Sequence, residues 1–148
     1  MTKDVFVTIK GLQVSSQMEP DPIEIVALGE YYEQKGKKYI KFDEVVDGME
    51  GQIRNMIKIS PTCMEVTKKG LTNAHMVFEE NKKNRSFYYT PFGDFSIGIM
   101  GKSIETNETE NELKVKVTYE LDMNYEHMAD CTINIDVKSK GQGEISLS

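Results

Sequence analysis

The stretch LKVKVTYELD, Leu113 to Asp122, decides the fold. Leu113, Val115, Val117, Tyr119 and Leu121 alternate with Lys114, Lys116, Thr118, Glu120 and Asp122, so one side of an extended chain is dry and the other wet. A helix would scatter these apolar residues around its circumference, whereas a two-residue repeat gathers them on one face. The segment reads as a β-strand between a core and water.

The same rhythm recurs on both sides of it. CTINIDVK places Cys131, Ile133, Ile135 and Val137 together, and GQIRNMIKIS does so with Ile53, Asn55, Ile57 and Ile59. IEIVALGEYYEQ aligns Ile23, Ile25, Ala27, Gly29 and Tyr31, and near the N-terminus Val5, Val7 and Ile9 alternate with Phe6, Thr8 and Lys10. Turn signals separate the runs at Lys35-Gly36, Asp47-Gly48, Ser60-Pro61, Lys69-Gly70, Asn81 to Asn84, Pro91 to Gly93 and Asn107 to Asn111. No segment sustains a helical apolar stripe; DMNYEHMAD, Asp122 to Asp130, is the nearest and reads as a connection with at most one helical turn. SSQMEPDP, Ser15 to Pro22, reads as a loop that lets the first strand reach its partner.

Short connections between successive strands imply antiparallel neighbours. A sheet with one apolar face and no amphipathic helix must cover that face and its edges, and closure does both. The expected fold is all-β: a single antiparallel meander β-barrel of about eight to ten strands, in one domain spanning residues 1–148. Two sheets packed as a sandwich are the alternative, since periodicity does not separate the two.

FYYTPFGDFSIGI, Phe87 to Ile99, raises the question of an active-site loop. Pro91 fixes its φ and lacks an N–H, Thr90 is biased to extended backbone, and Gly93 tolerates positive φ, so the stretch reads as a sharp corner. Gly98 and Gly101 are expected to let a curved sheet bend. Taken in chain order, GEYYEQKGKKYIKFDE (Gly29 to Glu44), FYYTPFGDFSIGI, and VTYELDMN followed by INIDV resemble the YwiB-like family of small uncharacterised bacterial proteins, found chiefly in Gram-positive organisms. The similarity spans nearly the whole chain and is weakest from Ile57 to Glu79, which leaves strand limits there open. It implies a calycin-like barrel, the shape shared by lipocalins and fatty-acid-binding proteins. It implies no catalytic position.

Net charge and cysteine usage narrow the function classes. A formal charge of −6 argues against a nucleic-acid partner and against docking on an anionic membrane. The basic clusters Lys35-Lys37-Lys38 and Lys82-Lys83-Arg85 read as solvated hairpin tips. No apolar run approaches the ~20 residues of a membrane helix, and MTKDVFVTIKGLQV alternates where a signal peptide would be continuously apolar. A cytoplasmic location is expected, with Cys63 and Cys131 as free thiols.

SIGIMGKS, Ser96 to Ser103, ends like a phosphate-binding loop but has Ser where the first glycine belongs and continues a strand. His75, His127, Asp130, Cys63 and Cys131 lack the close pairing of a metal site, and neither cysteine has a marked base. Asp43, Glu44, Asp47 and Glu50 read as a solvated run around a turn. No cofactor, metal or catalytic residue is expected. The leading expectation is binding of a small, largely apolar ligand inside the barrel, with Tyr31, Asn55 and Tyr119, and further Tyr39 and Tyr89, as polar groups pointing inward. Arg54 and His75 join them if the twist turns their strands over. The alternative is an interaction module, with Tyr32, Phe42, Tyr88 and Phe95 on an outer face that joins a partner or a second copy.

Overall fold

A computed structural model describes residues 3–11, 24–45, 48–91 and 93–140. The loop read at Ser15 to Pro22, together with Ile23, Asp47 and Phe92, lies outside the described residues. Ten strands follow one another: β1 (Asp4–Lys10), β2 (Glu24–Gln34), β3 (Lys37–Val45), β4 (Gln52–Ser60), β5 (Cys63–Gly70), β6 (Asn73–Glu79), β7 (Lys83–Thr90), β8 (Gly93–Glu108), β9 (Glu112–Met123) and β10 (Glu126–Ser139). Each pairs antiparallel with the next, and β1 pairs with both β2 and β10, which closes the barrel and excludes the sandwich.

The dry face of every long strand points inward. Val7 lies across from Ala27 on one side and Val137 on the other, Val137 faces Leu113, and Ile135 faces Val115. Val5, Val7, Ile9, Leu113, Val117, Ile133 and Val137 are fully buried. Each such side chain contributes about 1.5–3 kcal/mol relative to an exposed one.

Three local expectations are refined. DMNYEHMAD contains no helical turn: β9 runs to Met123, β10 restarts at Glu126, and Asn124 (φ 51) and Tyr125 (φ 71) form the connection. Positive φ at both residues gives a hairpin turn whose twist matches the flanking strands. Gly101 does sit at a register shift, but Gly98 serves another purpose: a Cβ there would collide with Asp122 and Arg85, which meet across its bare backbone. In the cluster Lys82-Lys83-Arg85, Lys82 and Lys83 are solvated as expected, but Lys83 and the less exposed Arg85 also bind Asp122 from within β7. FYYTPFGDFSIGI is a corner of the sheet, where Thr90 Oγ1 donates to the Gly93 carbonyl at 2.8 Å between β7 and β8.

Candidate functional site

Alternation carries three polar side chains into the apolar interior. On β3, Glu44 follows Ile40 and Phe42 on the same face; on β4, Asn55 lies between Ile53 and Ile57; on β5, Lys68 follows Met64 and Val66. Register then brings them together, since Asn55 pairs with Phe42 on one side and Lys68 on the other. The same row continues from Lys68 to Ala74, from Ala74 to Tyr88 and from Tyr88 to Phe95. All lie toward the barrel end that bears the β3–β4, β5–β6 and β7–β8 connections.

Lys68 Nζ donates to Asn55 Oδ1 at 2.7 Å and to Glu44 Oε1 at 3.3 Å. Asn55 Nδ2 donates to the same Glu44 oxygen at 3.2 Å and to the Ile53 carbonyl at 3.3 Å. The Lys68 side chain is 2% exposed and that of Glu44 14%, so the ammonium is removed from water while its carboxylate keeps an edge in it. Burial pushes the Lys68 amine below the usual lysine range, and the charge and hydrogen bond of Glu44 resist that shift. Tyr88 is pushed up to about 12 by burial and then by the Glu44 charge.

An ammonium has three N–H donors, and among the described residues Asn55 and Glu44 take two of them. The group can offer a third to a ligand. It carries one positive and one negative charge, so a charged ligand would disturb the balance while an uncharged polar end would not.

Tyr31 and Tyr119 also point inward, but away from this group. Tyr31 donates to Glu33 Oε1 at 3.0 Å, and Tyr119 packs edge-on to Phe78 with ring centroids 5.0 Å apart. Burial, followed by the effect of Cys131, pushes the Tyr119 hydroxyl far up. Ile57, Met64, Met76, Phe78 and Ile99 pack with it in the centre. The remaining inward expectations are corrected. Tyr39 lies on the outer face, stacked on Tyr32 at 4.8 Å, and Tyr89 is 46% exposed beside Phe87. Arg54 and His75 also face outward. Conversely Phe42 and Tyr88 are buried and Phe95 packs against the core, so of the proposed outer aromatic face Tyr32 alone is exposed.

Lys68 was missed, and the reading of Glu44 as part of a solvated run is corrected, because their strands end in charged runs, VTKKG and KFDEV, where the dry-wet rhythm stops. Counting by two from Met64 and from Ile40 would have found both. No group of three or more His, Cys, Asp or Glu is gathered for a metal among the described residues. Clefts of about 860 Å³ across β2 to β5 and about 690 Å³ near β8 to β10 are lined mainly by outward-facing residues. One of about 470 Å³ opens at the β6–β7 seam and reaches Lys68.

Fold and site together define a ten-stranded closed antiparallel β-barrel with a charge-balanced polar group inside one end. Residues 7–135 match the model of the family described as "Domain of unknown function (DUF1934)", and the chain belongs to that family. It is 24% identical over 131 residues to the "Uncharacterized beta-barrel protein YwiB" of Bacillus subtilis (strain 168), covering 84% of this chain and 91% of that protein. The crystal structure of the ywiB protein from Bacillus subtilis superposes with a TM-score of 0.75 at 20% identity, over 93% of this chain and 92% of that one. No helix among the described residues is long and apolar enough to cross a membrane.

Proposed function

We propose that the protein is a non-catalytic binding barrel for a small, largely apolar molecule whose uncharged polar end meets Lys68, Asn55 and Glu44. The observation that carries this reading is Lys68 itself, an ammonium 2% exposed in a largely apolar interior. Apolar residues of similar volume stabilise a core as well as a buried ion pair or better, so the pair is poorly explained by stability alone. Met64 on the same strand and Met76 on the next are flexible side chains suited to re-pack around a guest. The two free cysteines support a reducing compartment, and we place the protein in the cytoplasm.

Native mass spectrometry of the protein purified from its own host tests the reading. A retained small molecule that is lost in Lys68→Met is the expected result; a bare mass, with no uptake from a lipid extract of that host, would refute it. A second reading, association through the outer face, rests on Phe87, 57% exposed and stacked on Tyr89. Size-exclusion chromatography decides that one, since a monomer at every concentration removes the homo-oligomer form of it.

A further inference from the structure

The barrel wall is not equally closed all the way round. β6 and β7 pair through Asn73 with Tyr89 and Ala74 with Tyr88, and then meet again only at the bridge between Glu79 and Lys82. Those two contacts differ in register by one residue, so four residues of β6, His75 to Phe78, face five of β7, Lys83 to Phe87, without ladder pairing. On their other sides both strands are held in full, β6 by β5 from Ala74 to Glu79 and β7 by β8 from Lys83 to Thr90. The gap between them is therefore a seam without ladder hydrogen bonds, closed on its inner side by Met76 and Phe78, both buried.

What lines the seam is chemically unusual. β7 reverses the rhythm of the other strands: Asn84 and Ser86 share the inward face with Tyr88, while Phe87 and Tyr89 are exposed outside. The Ser86 hydroxyl is buried and has no hydrogen-bond partner among the described residues. Such a group costs free energy that a ligand could return. The seam cleft of about 470 Å³ is lined mainly by outward-facing residues, among them Lys69, His75, Val77 and Phe87, together with the inward-facing Lys68, Ala74, Asn84 and Ser86. Ala74 stands next to Lys68 in the inward row and is the smallest side chain there.

We infer that the β6–β7 cleft is the binding mouth of the barrel, and that Ser86 donates a hydrogen bond to the carbonyl of an uncharged, largely apolar ligand whose polar end lies beside Lys68. This rests on the binding reading above and adds the place, the residue and the head-group class. An anionic head is disfavoured because Glu44 already occupies the Lys68 charge at 3.3 Å.

The test uses prodan, an uncharged naphthalene ketone whose emission reports both apolarity and hydrogen bonding at its carbonyl, against the anionic anilinonaphthalene sulfonate. The wild-type protein takes up prodan more tightly than the sulfonate. Ser86→Ala weakens prodan roughly tenfold and reduces the hydrogen-bonding component of its emission, the loss expected for one buried hydrogen bond. His75→Trp narrows the cleft from its exposed rim, so it blocks uptake without a change in the core, and Thr106→Trp on the outer face of β8 leaves uptake unchanged. Prodan bound equally by Ser86→Ala and His75→Trp but lost in Lys68→Met would overturn the mouth and leave the barrel a binding protein. The sulfonate binding as tightly as prodan at the same site would overturn the uncharged head group. No uptake of either dye, together with no retained host molecule, would overturn the binding reading and this inference with it.

Discussion

Two acid–base groups lie on opposite faces of the same sheet. Inside, Lys68 meets Glu44 at 3.3 Å; outside, Asp122 receives Arg85 at 2.6 and 2.8 Å and Lys83 at 2.7 Å, and Arg85 also donates to Ser96 Oγ at 2.9 Å. Burial acts on both, with opposite outcomes. It lowers Lys68 despite its carboxylate, whereas burial that would raise Asp122 is outweighed by the hydrogen bonds and charges of Lys83 and Arg85. The outer group has more partners and keeps its cations partly in water, so the burial of Asp122 is offset and the group fastens β7, β8 and β9. The inner group holds a charge where the fold gains little from it.

Removing one partner separates the two most sharply. Glu44→Leu leaves the Lys68 ammonium buried with Asn55 alone, and should lower stability by about 3–5 kcal/mol in urea denaturation. Adding Lys68→Met should recover most of that loss. The pH dependence follows from the sign of the shift: a lysine lowered in the fold penalises the protonated native state, so stability rises with pH from the folded value up to the unfolded value of about 10.4. In Glu44→Leu that rise should begin at lower pH. A loss below about 1 kcal/mol would mean that the inner pair is as well solvated as an exposed one, and the contrast between the faces would be gone.

On the outer face the largest effect should come from a residue with no charge. Gly98 lies opposite Arg85 on one side and Asp122 on the other, and its missing Cβ is the space through which they meet. Gly98→Ala should cost about 1–3 kcal/mol as an overpacked site. Combined with Asp122→Asn the costs should add to less than their sum, because both disturb one contact. Asp122→Asn should also flatten the acid limb of the stability curve. A carboxylate lowered in the fold stabilises above its unfolded value of about 3.9 and loses that contribution as pH falls through the folded value. An unchanged acid limb would show that Arg85 and Lys83 do not hold it.

The same contrast explains what could be read before any coordinates. β9 declares its two faces because Leu113, Val115, Val117, Tyr119 and Leu121 are all apolar and the residues between them are not. From such strands the closed sheet and the inward Tyr31, Asn55 and Tyr119 followed. β7 defeats the same reasoning: KNRSFYYT puts Asn84 and Ser86 inward and Phe87 and Tyr89 outward, so hydrophobicity points the wrong way and adjacent tyrosines conceal the parity. A slip of one residue exchanges the faces, which is why Tyr88 and Tyr89 were assigned to each other's sides. Where the rhythm fails, at VTKKG, KFDEV and KNRSFYYT, lie Lys68, Glu44 and Ser86. The residues of the candidate site were hidden because a barrel that places polar groups inside must break the pattern that identifies it as a barrel.

The smallest effect probes the edge of the outer group, where contact and backbone strain oppose each other. Tyr125 is 77% exposed, has φ 71, and lays its ring 3.9 Å from the Arg85 guanidinium carbon. Tyr125→Ala should lose a cation–π contact worth about 0.5–1 kcal/mol at an exposed site while keeping the left-handed backbone. Tyr125→Gly loses the same contact but relieves a conformation that costs an L-residue about 1–2 kcal/mol. The glycine variant should therefore be more stable than the alanine variant in urea denaturation, and within about 1 kcal/mol of the wild type. If glycine destabilises as much as alanine, the turn is held without strain and the ring contact carries the whole effect, which would make this exposed corner a stronger fastening than its solvation implies.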